Sequence, residues 1–283
     1  MKQPIAKRNG RKLPGLFALC GLLALSLPAP AIERLFTYTH EPETLPKGAI
    51  EFEQWITTRA GRNRAVGKTD YYRLQFREEL EYGVTDRYQI AFYFNHDYEH
   101  FHDPTGDADQ SDYRQKGVSF ENKLLVLHPA ERPVGLALYL EPTLDAAAGL
   151  FKLEEKIILG QRHGDWKWAV NLNHETEWEH QYRDTVGEFE LTAGVAYLPS
   201  PRWSLGVEMR HHAEIEAYRK WEGYAFYLGP SVSYRRERWW AALTVMPQIY
   251  GANFEGNPDR ETNLDLAGHE RWNIRLLVGI HLR

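Results

Sequence analysis

Beyond residue 48 apolar and polar side chains alternate along the chain with period two, the pattern of strands whose two faces meet different media. Residues 71–82 place Tyr72, Leu74, Phe76, Leu80 and Tyr82 on one face, broken by Glu78, and Arg73, Gln75, Arg77, Glu79 and Glu81 on the other. Near the end, Trp272, Ile274, Leu276, Val278, Ile280 and Leu282 alternate with Arg271, Asn273, Arg275, Leu277, Gly279 and His281. The same reading predicts twelve strands, at 49–59, 71–82, 87–97, 116–127, 134–144, 151–162, 166–179, 188–198, 203–217, 223–234, 239–250 and 269–282. The sixth is the weakest, because Glu155 falls on its apolar face. Pro142 and Pro247 each cost the fifth and eleventh a ladder hydrogen bond.

The connections sort by length. Those after even strands are short, at 83–86, 128–133, 163–165, 199–202 and 235–238. Most of those after odd strands are longer, notably 60–70, 98–115 and 251–268, with 145–150 and 218–222 as exceptions. Short turns at one rim and longer loops at the other is the pattern of a bacterial outer-membrane barrel. Tyr82, Tyr88, Trp166, Tyr197, Trp203, Tyr234 and Trp239 lie beside the short turns, and Tyr72, Trp178, Tyr182, Tyr218, Trp221, Tyr224 and Trp272 near the longer loops. Two aromatic bands flanking an aliphatic belt match two membrane interfaces. The alternative is a soluble sandwich or lipocalin-like barrel with its apolar face turned inward. The expected fold is therefore all-β, a transmembrane antiparallel up-and-down barrel of about twelve strands over residues 49–283, with both termini on the periplasmic, short-turn side.

Residues 1–31 read as a cleaved signal peptide. Lys2, Lys7, Arg8, Arg11 and Lys12 form a basic start, Leu13–Leu27 an apolar run too short for a membrane span, and Ala29-Pro30-Ala31 a cleavage site. A lipid anchor on Cys20 is disfavoured, since Leu19 before it is not small. Cleavage removes that sole cysteine, and with it any disulfide or thiol chemistry. Residues 32–48 read as a periplasmic lead-in kept irregular by Pro42 and Pro46; alternation does not decide whether they fold into the lumen as a plug.

Composition narrows the classes further. The 283 residues are 43% hydrophobic and 13% aromatic, against wholesale disorder. After residue 31 no apolar run approaches the roughly 20 residues of a membrane helix, which excludes a polytopic helical protein. The net charge of −5, falling to −10 once the five basic leader residues are lost, argues against nucleic acid as a partner.

Glu81-Tyr82-Gly83-Val84-Thr85-Asp86-Arg87-Tyr88-Gln89-Ile90 resembles the Y-G-x-T-D-R periplasmic hairpin of many proteobacterial outer-membrane barrels. Leu45-Pro46-Lys47-Gly48 followed by Glu51-Phe52-Glu53-Gln54-Trp55 resembles the first strand of an uncharacterised outer-membrane barrel family. The likeness implies an outer-membrane location in a Gram-negative bacterium, with lipid, lipopolysaccharide and the barrel-assembly machinery as partners. It implies no particular activity. Such barrels usually end on an aromatic residue that the assembly machinery reads, whereas this sequence closes on His281-Leu282-Arg283.

The polar face carries the candidate chemistry. If it lines a lumen it holds sixteen carboxylates against nine cationic side chains, among them Glu53, Arg73, Arg77, Glu79, Glu121, Lys123, Glu141, Glu175, Glu177, Glu179, Glu208, Arg210 and Arg275. Fixed negative charge concentrates cations, so the leading reading is a channel for small polar or cationic solutes. The alternative is a closed barrel whose inward charges pair off, acting as a structural, adhesive or partner-binding surface protein. Glu175, Glu177 and Glu179 project together and could attract a divalent cation, though such a run is more often a solvated rim. His96, His100 and His102 sit among acids, but no recognised metal spacing sets them. A lipid hydrolase is a third reading. It needs a histidine-activated serine, and none of Ser111, Ser119, Ser200, Ser204, Ser231 and Ser233 shares the outward face with His174 or His211. No enzyme activity and no cofactor is expected.

Overall fold

The computed structural model describes residues 34–62, 67–181, 183–254 and 263–283. The leader, with Cys20 and the Ala29-Pro30-Ala31 site, lies outside them, as does Tyr182. The strands are β1 (Ile50–Ala60), β2 (Thr69–Thr85), β3 (Tyr88–Asp103), β4 (Ala108–Leu127), β5 (Gly135–Asp145), β6 (Leu150–His163), β7 (Trp166–Glu179), β8 (Asp184–Ser200), β9 (Trp203–Glu216), β10 (Lys220–Arg235), β11 (Trp239–Asn253) and β12 (Trp272–His281). Each pairs antiparallel with its neighbours in sequence, and β1 pairs with β12, so the sheet closes into a barrel without an edge.

The two faces are inverted relative to a water-soluble protein. Cross-strand rows such as Leu80–Phe92–Phe120 and Leu138–Ile157–Leu172 lie exposed on the outside. Glu51, Glu53, Glu79, Glu121 and Glu208 are buried inside. In water this arrangement would forfeit apolar burial and desolvate charge at once; a lipid exterior makes both favourable. Aromatic pairs mark the two rims. Trp203 stacks obliquely on Tyr234 with ring centres 4.6 Å apart beside the short turns, and Phe189 meets Trp221 at 5.9 Å toward the loops.

Two expectations are corrected at the loop rim. The expected loop 98–115 is mostly ladder, running from Tyr98 opposite Tyr113 to Asp103 opposite Ala108 and leaving only 104–107 to turn. Above the lipid both faces of a hairpin are wet, so side-chain alternation fades while backbone pairing continues. Conversely, residues 269–271 are not strand. With 263–268 they turn into the barrel mouth, where Asp265, His269 and Glu270 are buried. Glu155 points outward as read; His174 Nδ1 lies 3.3 Å from its Oε2, and Tyr218 Oη is 2.8 Å from the other ring nitrogen.

Candidate functional site, the barrel lumen

Residues 34–45 fold up inside the barrel. The lead-in is therefore a plug, not a segment lying free on the periplasmic side. Phe36, Thr37 and Thr39 are fully buried, and Leu35, Tyr38, His40 and Glu41 nearly so. Chain in an irregular conformation must find partners for its N–H and C=O groups, and here the inward side chains of the strands supply them. Glu208 of β9 accepts three consecutive backbone N–H groups, from Thr37 at 3.1 Å, Tyr38 at 2.7 Å and Thr39 at 2.6 Å. Asn171 of β7 takes the N–H of His40 at 2.6 Å and returns its own amide to the His40 carbonyl at 2.9 Å. Gln89 accepts from Leu45 N at 2.8 Å and Asp86 from Lys47 N at 2.9 Å.

Small inward residues make the room. Leu35 and Phe36 pack on Ala169 and Ala196. A Cβ at Gly194 would lie 2.5 Å from the Phe36 ring. A Cβ at Gly83, near the end of β2 beside the short hairpin, would lie 2.1 Å from the Pro46 carbonyl oxygen. This glycine thus lets the lead-in backbone pass close by, and Gly48 N bonds the Gly83 carbonyl at 2.7 Å. The same packing accounts for Ala169 and Ala196 under Leu35 and Phe36 and for Ala225 beside Tyr38, at inward positions that alternation alone would fill with polar groups.

The lumen charges fall into three tiers. At the short-turn end Glu51, Glu53, Glu79, Glu81 and Glu121 gather around aromatic donors. Trp55 Nε1 donates to both Glu53 (2.9 Å) and Glu79 (3.0 Å), Trp240 Nε1 to Glu51 (2.6 Å), and Tyr93 to Glu121. Arg34 of the lead-in stands 3.8 Å from Glu53 and over the Trp55 ring, so the plug carries a cation into this acidic floor. In the middle, Arg77 bonds Glu141 at 2.5 Å, Arg210 bonds Glu190 at 2.5 Å and Lys156 lies 3.1 Å from Glu154. Lys123 is buried on the same wall, and Arg275 caps the Tyr38 ring at 3.8 Å. At the loop end Arg73 pairs with Asp97, and Lys152 bridges Glu175 (3.1 Å) and Glu177 (2.6 Å), with Glu179 at the strand end. The triplet thus has a cation within it, Lys152, on the inward parity of Glu154 and Lys156.

The loop rim is narrowed from above. Gln248 of β11 donates to the carbonyl of Asp265 (3.0 Å) and accepts its N–H (2.7 Å), drawing the β11–β12 loop into the mouth. Burial pushes the Glu270 carboxyl up, but the Arg59 and Arg62 guanidiniums outweigh it and hold the group down at about 2. Arg62 bonds it at 2.9 Å. Burial likewise opposes ionisation of Asp265, and His269 with the N–H groups of Gly268 and Ala267 holds its carboxyl below the usual range.

The loop histidines do not converge. His96 meets Glu78 at 3.1 Å, His100 meets Ser111 at 2.9 Å and His102 meets Asp109 at 3.0 Å. A different set does converge among the described residues: His212, Glu214 and His269, in the mouth. His212 and Glu214 share the inward parity of Arg210 and were readable as lumen residues. His269 falls at the start of the strand expected over 269–282, on the parity of Arg271; Asp265 behind it was not readable, because a loop without alternation gives no facing.

Among the solved structures that match, two illustrate the shared fold. An outer membrane channel from Pseudomonas putida F1 (COG4313) superposes with TM-score 0.57 at 14% identity, over 87% of this chain and 100% of that one. The β domain of the Bordetella autotransporter BrkA gives 0.52 at 9%, over 83% and 99%. A search of curated proteins returns no match. A family model, the family of unknown function DUF6662, matches residues 28–152 and 153–282. The closed twelve-stranded barrel is thus the fold of outer-membrane barrels, and the chain belongs to the DUF6662 family.

Proposed function

We propose that the protein is an outer-membrane channel that rests closed, with its N-terminal segment as the plug, and passes small polar or cationic solutes when the segment withdraws. One observation carries this reading: a separate stretch of chain fills the lumen, held by hydrogen bonds and ion pairs that water and salt can replace. A barrel that only needed filling could do so with the side chains of its own strands. With the segment gone, the carboxylates of the wall outnumber its cations, which favours cation passage. Membrane location rests on the apolar exterior, the signal-peptide pattern and the fold shared with the Pseudomonas channel. Assembly machinery and outer-membrane lipid as partners follow from the same reading.

A second reading has its own support. Six of the nine cationic side chains expected inside have a carboxylate within ion-pair distance, as a permanently closed surface barrel would require. Planar-bilayer recording under a salt gradient separates the two. The refolded chain with residues 34–45 present is expected to stay silent, and the chain lacking them to give current steps with cation preference. Changing Glu175, Glu177 and Glu179 together to Gln should lower that preference. A folded, shortened barrel that stays silent would sink the channel and leave the surface barrel.

A further inference from the structure

We propose that His212, His269 and Glu214 bind one divalent transition-metal ion, zinc by their donor set, which ties the β11–β12 loop to β9 across the mouth of the barrel. The ring nitrogens that face away from the site fix its chemistry. His212 Nε2 lies 2.9 Å from Glu188 Oε2, and His269 Nδ1 lies 2.8 Å from Asp265 Oδ2. A carboxylate accepts, so each histidine donates its N–H outward and the tautomer is set. The two remaining nitrogens, His212 Nδ1 and His269 Nε2, then carry lone pairs and face each other at 3.0 Å. Two lone pairs at that distance repel unless a cation lies between them.

Glu214 Oε1 stands on the same side, 3.7 Å from His212 Nδ1 and 4.0 Å from His269 Nε2. Tetrahedral zinc with bonds of about 2.0–2.1 Å separates its ligand atoms by roughly 3.3 Å, so small side-chain movements close the set. Two imidazoles and one carboxylate suit zinc, with a fourth position left toward the lumen. A carboxylate behind each imidazole is the usual second support of a metal-binding histidine, raising its basicity and fixing the ring. Both histidines are 5% exposed and Asp265 is fully buried, with its second oxygen accepting the N–H groups of Gly268 and Ala267. The loop is therefore fastened before any ion arrives.

The test uses the full refolded barrel, stripped with chelator and titrated with zinc by calorimetry and with cobalt by visible absorption. One equivalent is expected, with the cobalt spectrum of a four-coordinate nitrogen and oxygen site. His212→Gln and His269→Gln should each weaken binding by about 100-fold or more. Asp265→Asn leaves the ligands in place and should weaken it by about 10–100-fold. Heat-modifiable migration on gels shows which variants fold, and Asp265→Asn keeps the test open if a histidine variant does not. His100→Gln with His102→Gln should change nothing. A folded wild-type barrel that binds no ion would mean the two nitrogens share a proton, and would overturn the proposal. So would binding that survives the His212→Gln/His269→Gln double change.

Discussion

Glu208→Ala is expected to release the N-terminal segment from the lumen. Glu208 is fully buried, and its two oxygens receive Thr37, Tyr38 and Thr39 N–H together with the hydroxyls of Thr37 (3.3 Å) and Thr244 (2.7 Å). Truncation leaves three buried backbone donors without an acceptor, at about 1–3 kcal/mol each. No other side chain is bonded to those three N–H groups among the described residues. The barrel ladder is untouched, so the loss falls on the seating of the plug and not on the strands. Glu208→Gln keeps one acceptor oxygen but turns an NH2 group toward donors, and should fall between wild type and alanine. Current recording checks this: steps absent from wild type should appear in Glu208→Ala. A silent Glu208→Ala barrel with the segment still protected from protease would show that other contacts hold the plug.

The second large effect belongs to the exterior. Phe92→Arg should destabilise the inserted barrel by about 2–4 kcal/mol, the cost of arginine on the lipid face near mid-depth. Phe92 is 52% exposed and lies between Leu80 and Phe120 in adjacent strands, with no carboxylate across either pairing. On a water-facing surface the same change would stay within about 0.5 kcal/mol. Denaturant unfolding of the barrel in lipid vesicles, read by gel migration, distinguishes the two. An unchanged midpoint would remove lipid from the account of this face.

What could be read from the sequence follows from what alternation encodes. It gives the facing of each residue in a strand that has lipid on one side, so the twelve strands and the inward position of Glu53, Glu79, Glu121, Glu141 and Glu208 were legible. It is blind where both faces are wet, which is why the 98–115 hairpin read as a loop. It is also blind to chain without a period. Residues 34–45 and 263–268 lie in such stretches; the first fills the lumen and the second narrows its mouth. One trace of the plug was present: glycine and alanine at inward positions, such as Gly194, Ala169 and Ala196, where a bare lumen has no use for small residues. Nothing in the alternation names what packs on Gly194.

The central claim is that the N-terminal segment sits inside the barrel, and cysteine accessibility at Thr39 tests it most directly. Thr39 is fully buried and its hydroxyl has no hydrogen-bond partner, so Thr39→Cys costs little. Cys20 is the sole native cysteine, and changing it to serine leaves one thiol to follow. In the folded barrel a water-soluble maleimide should label Cys at position 39 at least about 100-fold more slowly than in the unfolded chain. Adding Glu208→Ala should restore fast labelling. Fast labelling in the folded barrel with Glu208 intact would contradict the account.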